Sequence, residues 1–446
     1  MNIVICGAGT VGSHAAEVLG ASGHSITVVD SRPDRLETIG DTMDVGTFCG
    51  NCASAQVLRE AGASDADLLL ATTNSDEINL LAASVGKGIG AKKSIARVHH
   101  RAYFEQRGLD YQKHFSIDQL ICPEFSTAQA IARSLRNPGA LAVENFAEGQ
   151  IEMQEFPVTS NAKAVGKSLS EVNLPTGARL AAITRKHNTF MPKATTVVEP
   201  GDVVVLVGNS QIFQESRRLF RESEVGRQKV VIMGGPSMAV WLCRALTDRN
   251  FSIRLFEIDR QRAEELAEKL ESVTVIQADP TEVSVFEEEH IAEADVFVAL
   301  VDDDEHNILG CAWAKSRGVK KVIAVAQRPN YLRLLEHVGI DRAFSPRMVA
   351  VKEIENVMDE SPLRRIASLA EGIIDVYRLR ISDRIKAVGQ ALRDIRLPED
   401  WMIVAVQRKQ VVKVPSADDC LNVGDTALVL GRRGTEKSIR KFFGVK

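Results

Sequence analysis

Gly7, Gly9 and Gly12 stand in the spacing G-x-G-x-x-G near the start of the chain, within the run Gly7-Ala8-Gly9-Thr10-Val11-Gly12. The chemistry that spacing serves is phosphate binding. The first glycine permits a tight turn. The second lets the backbone approach a pyrophosphate, and the third lets the following helix pack close to the strand. The apolar stretch Ile3–Cys6 precedes the loop and an amphipathic stretch, Val11–Ser22, follows it, which is the strand-to-helix context the motif needs. Asp30 ends the next apolar run, 30 − 12 = 18 residues beyond the loop. A carboxylate there accepts hydrogen bonds from ribose hydroxyls and repels a 2′-phosphate. The expected ligand is therefore NAD(H) or another adenine nucleotide, although Arg32 and Arg35 lie close enough to weaken the exclusion of NADP.

Further candidates stand at the carboxyl ends of other apolar runs, where a parallel sheet forms its ligand crevice. Arg97 could pair with phosphate oxygens, or be an ordinary surface arginine. Thr73 and Asn74, beside Thr72, could touch the ligand or cap the helix that starts at Asp76-Glu77. Gly50-Asn51 stands at a third strand end and could line the adenine side, and Cys52 next to it is a further cofactor-binding candidate. Cys49-x-x-Cys52 is a lone pair with no second pair and no histidine close by, so we expect loop residues rather than a zinc or redox site. His99 and His100 are adjacent and point to opposite faces of an extended chain, so they read as loop residues. The run Asp302-Asp303-Asp304-Glu305 reads as a carboxylate-rich helix start, with a divalent metal as the competing reading. No catalytic residue and no metal ligand is assigned.

The elements that must hold these residues alternate between apolar runs and amphipathic stretches. Strands are expected at Ile3–Cys6, Ser25–Val29, Leu68–Ala71 and Ser94–Val98, and helices at Val11–Ser22 and Asp76–Val85. That alternation predicts an α/β fold with a doubly wound parallel sheet. A strand-rich, Gly- and Pro-punctuated segment follows, with strands at Leu180–Thr184 and Val203–Val207, and reads as a small α+β module.

The whole pattern then recurs. Gly7 and Asp30 match Gly234 and Glu257 at an offset of 227. Asp76-Glu77-Ile78-Asn79 matches Asp304-Glu305-His306-Asn307 at 228, and Pro123 matches Pro346 at 223. In the small modules Arg185 matches Arg408, and Gly201-Asp202 matches Gly424-Asp425, again at 223. So many matches in one order mean a duplication. The second loop departs from the first. Pro236 replaces the central glycine, Ala239 the last, and Val325 stands where Arg97 is. Proline has no N–H and carries a ring, so phosphate binding is expected to be weakened or lost in the second copy. A duplicated nucleotide domain occupies the place where a dehydrogenase carries a catalytic domain, which favours a sensor.

Composition narrows the class. With 45% hydrophobic and 26% charged residues the 446-residue chain reads as soluble and multidomain. A net charge of −4 gives no footprint for nucleic acid or anionic lipid. No apolar run approaches the roughly 18 residues of a membrane span. Met1-Asn2 leads straight into a strand and not into a signal peptide, so a cytoplasmic location is expected.

Taken in order, these residues resemble the TrkA family, the peripheral NAD-binding subunits of bacterial Trk potassium uptake systems. The resemblance rests on Gly7–Gly12, Val28-Val29-Asp30, Leu58–Asp67, Ala71–Asn79, Ile95-Ala96-Arg97, Pro138-Gly139-Ala140-Leu141, Asn145–Gly149, Val198–Asp202, Asp302–Asn307 and Gln327-Arg328. It implies two tandem pairs, each a regulator-of-K+-conductance (RCK) N domain and its C domain. The expected domains are 1–137, a Rossmann-like RCK N domain, and 138–223, its C domain. They are followed by 224–361, a Rossmann-like domain with a degenerate loop, and 362–446, the second C domain. The resemblance further implies a non-enzymatic homotetramer in the cytoplasm. It would bind NAD(H), ATP or ADP, dock on a membrane potassium-translocating subunit at the inner membrane without entering lipid, and gate it. By position Gly7, Gly9, Asp30, Thr73 and Arg97 match the family's binding set. The alternatives left open are an NAD-dependent oxidoreductase and a nucleotide-sensing regulator of another cation channel or antiporter.

Overall fold

The computed structural model describes residues 1–104, 108–136, 143–146, 151–186, 188–208, 210–221, 227–247, 250–358, 361–370, 372–385, 387–409 and 411–445. The expected boundaries at 137/138 and 223/224 lie outside the described residues. So do Pro138–Leu141 and Ala147–Gly149 of the resemblance.

The first parallel domain runs β1 (Asn2–Cys6), α1 (Thr10–Ala21), β2 (Ser25–Asp30), α2 (Pro33–Thr42), β3 (Gly46–Cys49), α3 (Ala55–Glu60) and β4 (Leu68–Ala71). It continues with α4 (Asp76–Ile89), β5 (Ser94–Arg97), α5 (Arg101–Phe104), α6 (Tyr111–His114), β6 (Gln119–Ile121) and α7 (Pro123–Arg136). Its six strands are ordered β3-β2-β1-β4-β5-β6 and all pair in parallel. The chain reverses direction across the sheet between β1 and β4, so the loops after these strands flank the crevice of a doubly wound sheet. β4 is buried at every residue, as a strand covered on both faces requires. In α1, Val11, Ala15 and Leu19, with Gly12 and Ala16, form one buried stripe at helical spacing.

A small module follows, with β7 (Val143–Phe146), β8 (Ile151–Pro157), β9 (Arg179–Arg185), β10 (Asn188–Phe190), β11 (Val203–Gly208) and α8 (Ser210–Phe220). Its sheet is antiparallel, in the order β10-β9-β11-β8-β7.

The second parallel domain holds β12 (Gln228–Met233), α9 (Ser237–Ala245), β13 (Phe251–Glu257), α10 (Arg260–Lys269), β14 (Thr274–Gln277), α11 (Val283–Glu288) and β15 (Val296–Ala299). Then come α12 (Asp304–Ser316), β16 (Lys321–Val325), α13 (Tyr331–His337), β17 (Arg342–Phe344) and α14 (Pro346–Met358). Its sheet order, β14-β13-β12-β15-β16-β17, repeats the first. The last module has β18 (Leu363–Leu369), β19 (Ile374–Arg380), β20 (Trp401–Arg408), β21 (Val411–Lys413), β22 (Thr426–Arg432) and α15 (Glu436–Phe443). Its order, β18-β19-β22-β20-β21, is that of the first small module read from the other edge. Even isolated bridges recur at the offset of 223, Val165 to Val198 and Val388 to Leu421.

The domains associate by kind, in two compact units: Met1–Ala132 with Gly226–Asp359, and Arg133–Val225 with Glu360–Lys446. In the first unit, α14 of the second copy lays Val351, Ile354 and Met358 into the core of the first sheet, against residues that include Ile3, Ile5, Ala15 and Leu19. Lys93 Nζ donates to the Val357 carbonyl at 3.0 Å and Ser126 Oγ to Glu353 at 2.5 Å. Phe125 of α7 meets Trp241 of α9 edge-on, with ring centroids 4.8 Å apart. In the second unit the two antiparallel sheets share one core, in which Met153, Ala182 and Val205 pack with Val376, Val404 and Leu428.

Candidate nucleotide site

The glycine loop has the geometry its spacing predicts. Gly7 lies at φ +105°, and a Cβ there would come within 2.9 Å of the Thr73 amide. A Cβ on Gly12 would sit 1.9 Å from the Gly7 carbonyl oxygen, so only glycine lets α1 pass the turn. Gly9 differs from both. Its φ of −78° and ψ of −175° suit any residue, yet a Cβ there would meet nothing within 4 Å. The space over Gly9 is open, and Gly9 is the N-cap of α1. No side chain caps that helix and its first turn holds no acidic residue. Free N–H groups at a helix start, beside open space, form a ready anion site. The residues present therefore fit a phosphate group at Gly9–Val11.

Asp30 is buried and already engaged. One carboxylate oxygen accepts the Ala8 N–H at 2.7 Å and the other the Arg32 N–H at 2.9 Å. It thus holds the glycine loop against β2. A carboxylate has about four acceptor positions, which leaves two for ribose hydroxyls. Arg35 approaches Asp30 at 3.9 Å.

Beyond β4 the fastening residue is one that sequence reading passed over. Asn79 Oδ1 accepts from the Thr73 N–H and the Thr73 Oγ1 hydroxyl, each at 2.7 Å. Its Nδ2 donates to the Thr73 and Arg97 carbonyls at 3.0 and 2.9 Å. This one buried side chain ties the ends of β4 and β5 together. Its repeat in the second copy, Asn307, makes the three backbone bonds again, to the Val301 N–H and to the Val301 and Val325 carbonyls, without the hydroxyl bond that valine cannot supply, and that repetition was the available signal. The cap of α4 is Ser75, whose side chain accepts from the Ile78 N–H. Thr73 and Asn74 are therefore free of capping duty, and Asn74 is exposed.

Three candidates have other occupations. Arg97 donates to Glu124 at 2.8 Å. Asn51 is exposed, with its side-chain oxygen closing a turn on the Ala53 N–H at 2.9 Å. Cys52 is buried in the core, and its thiol points to the Val29 carbonyl at 3.4 Å, so only its backbone can face a ligand. Cys49 is exposed and directed toward the Ser31 carbonyl, which separates the surroundings of the two C-x-x-C thiols. His99 pairs with Asp76 through Nδ1 at 2.9 Å. Burial works to raise the Asp76 pKa, but the bonds from His99 and the His100 N–H outweigh it and hold it below the ordinary carboxylate value.

The acidic run of the second copy has structural duties. Asp303 caps α12 through the His306 N–H, and Asp304 accepts the Gln327 and Arg328 N–H groups at 2.6 and 2.9 Å. In the second loop, Glu257 accepts the Gly235 and Asp259 N–H groups as Asp30 does in the first. Pro236 takes φ −66° and ψ 174°, close to the conformation of Gly9. The proline leaves the fold alone. It removes the N–H and sets a ring where the first copy has open space.

A cleft of about 910 Å³ lies beside the first loop. The first copy lines it with Ala8, Gly9, Thr10 and Ser13 and with the outer face of α1. The opposite wall comes from the second copy, from Arg328 to Tyr331 and Arg347.

Comparison with known proteins follows the repeat. The TrkA-N domain family matches residues 3–123 and 230–346, and the TrkA-C domain family matches 153–221 and 376–444. A "Trk system potassium uptake protein TrkA homolog" of Archaeoglobus fulgidus is 33% identical over 99% of this chain and 100% of its own length. The "Trk system potassium uptake protein TrkA" of Haemophilus influenzae is 31% identical over 99% of this chain and 98% of its own. Among solved structures, the GsuK RCK domain aligns at a TM-score of 0.61 and 18% identity, over 99% of this chain and 95% of that one. The "GsuK channel bound to NAD" aligns at 0.62 and 17%, over 99% and 79%. A GsuK structure bound to ADP aligns at 0.53 and 12%, over 80% and 69%.

Proposed function

Because this chain belongs to the TrkA family, we propose that it is the nucleotide-sensing subunit of a Trk-type potassium uptake system. It would act as a homotetramer on the cytoplasmic side, docked on a membrane potassium-translocating subunit that it gates. Among the described residues no helix is long and apolar enough to cross a membrane, so attachment would go through that partner. The domains are taken as 1–137, 138–223, 224–361 and 362–446.

The ligand is NAD(H), ATP or ADP. It would be held in the first copy along the loop Gly7, Ala8, Gly9, Thr10, Val11 and Gly12, with the free amides of Gly9–Val11 on phosphate and Asp30 on the ribose, while the Gly7 and Ala8 N–H groups stay bonded to Val29 and Asp30. Thr73, Asn74, Arg97, Asn51 and the backbone of Cys52 would border it. The observation that carries this reading is the open space over Gly9 at an uncapped helix start. The GsuK structures bound to NAD and to ADP support the choice of ligands. Binding shifts an equilibrium between assembly conformations only through a difference in affinity for them.

The test is calorimetric titration of the full-length protein with NADH, NAD, ATP and ADP. One site per chain is expected, since Pro236 weakens the second loop. Two sites per chain would overturn that part, and none would overturn the ligand assignment. Catalysis is not part of the proposal, and a substrate-dependent oxidation of NADH would return the oxidoreductase reading.

A further inference from the structure

The cleft beside Gly9 is cationic in a chain whose net charge is negative. Arg35, Arg328, Arg347 and His14 line it, and Glu17 is the one carboxylate among the lining residues. Glu17 is largely exposed and lies against His14 at 3.3 Å. Arg35 leans toward Asp30, and Arg328 is shared with Glu305 at 3.2 Å and the Tyr331 hydroxyl at 2.8 Å. Arg347 stands apart. Its Nε is buried without a hydrogen bond, and it has no ion-pair partner among the described residues. Burial pulls its pKa below the ordinary arginine value. Asp304 opposes that shift while Arg328 and Arg97 add to it. Asp304 itself is committed to two backbone amides.

The repeat register sharpens the point. Arg347 corresponds to Glu124 at the offset of 223, and Arg328 to His100 at 228. The second copy therefore turns two arginines toward the intact loop, where the first copy has a carboxylate and a histidine at the matching positions. Glu124 is occupied by Arg97, while the partner that position would offer Arg347 in the second copy is Val325. A cation placed against an anion-binding loop, with no anion of its own, is a recognition element awaiting one.

We propose that the second copy supplies the terminal-phosphate clamp of the first copy's site, with Arg347 as the main contact and Arg328 as its auxiliary. The ligand class is a nucleoside di- or triphosphate in preference to a dinucleotide. This rests on the nucleotide reading of the Gly7–Gly12 loop and deepens it. The loop amides serve any phosphate, including the internal pyrophosphate of NAD. A terminal phosphate carries additional charge and is free to extend across the cleft, so a guanidinium on the far wall separates the two kinds of ligand. A degenerate second loop is then compatible with a working second domain, which acts as an arm of the first site.

The test uses the full-length protein, wild type and R347Q, titrated with ATP, ADP, AMP and NADH by calorimetry. For R347Q we expect ATP and ADP to weaken by about tenfold or more, the scale of one charge-assisted hydrogen bond. AMP and NADH should change by less than about threefold on the same arithmetic. R347K should recover part of the loss, and R328Q should lose less than R347Q with the same preference. Equal losses for all four nucleotides, or unchanged ATP and ADP binding, would overturn the clamp. Wild-type protein that binds none of the four would instead overturn the nucleotide site itself. Thermal melting of each variant identifies loss of folding, and R328Q carries the test if R347Q does not fold.

Discussion

Gly9 and Gly12 stand three residues apart and answer to different constraints. Gly12 is a packing glycine, since a methyl group there would strike the Gly7 carbonyl. Gly9 is constrained by nothing inside the chain, which leaves the ligand as its reason. The two therefore separate on mutation. Gly12→Ala is expected to destabilise the protein by about 1–3 kcal/mol through overpacking, read as a lower Tm. Gly9→Pro is expected to leave the Tm close to that of the parent, because Pro236 already occupies the same backbone geometry. It should nonetheless weaken nucleotide binding by more than about tenfold, through the lost N–H and the intruding ring. A Gly9→Pro variant that folds and binds normally would displace the site. Asp30→Ala is a poorer probe. Asp30 is buried on two backbone N–H groups, so its removal orphans both and loosens the loop as well as the ribose contact.

At the scale of elements, the matched pairs Arg185 with Asp202 and Arg408 with Asp425 turn out to be internal braces of the small modules. Each arginine forks onto its aspartate, at 2.8 and 2.8 Å in one copy and 2.9 and 2.8 Å in the other. Asp425 is buried. Burial works to raise its pKa, but the Arg408 fork and the Asn422 N–H outweigh it and hold the carboxyl below its ordinary value. A carboxyl depressed in the folded state contributes stability that is present above its unfolded pKa of about 3.9, and this is lost as pH falls through the lower folded value. Asp425→Asn is therefore expected to melt earlier at pH 7, by the roughly 1.5–3 kcal/mol of a charged hydrogen bond. The gap to wild type should narrow as pH drops below about 4, measured as Tm against pH. An unchanged gap across that range would remove the brace.

The exchange of α14 makes the two copies interdependent at the scale of the molecule. Ile354 belongs to the second copy by sequence and is fully buried in the core of the first sheet. Ile354→Ala is expected to cost about 2–4 kcal/mol by leaving a cavity, and the loss should be felt in the first domain. Hydrogen exchange of the β1 amides, Asn2–Cys6, is the readout. Accelerated exchange there is expected, and loss of protection confined to the second copy would contradict the exchange. Because α1 packs on the same cluster, nucleotide affinity should fall with it.

The chain's own residues determined the repeat, the parallel sheet, the strand-rich small module and the loop, because these depend on local spacing: short apolar runs, helical hydrophobic patterns, and glycines where a Cβ cannot fit. The strand end expected at Gly50-Asn51 is the end of β3 (Gly46–Cys49), whereas three-residue β6 lacked that pattern and was not foreseen. Nor were the occupations of Arg97 and Cys52, since spacing places a residue at a strand end without saying which neighbour claims its side chain. Asn79 was visible only as a repeated letter until its four bonds gave it a role. Tertiary structure alone decided that like domains pair, that α14 crosses to the other copy's core, and that Arg328 and Arg347 face a loop more than three hundred residues earlier. Such pairings depend on which apolar faces remain uncovered once each domain has folded, and no local pattern encodes that.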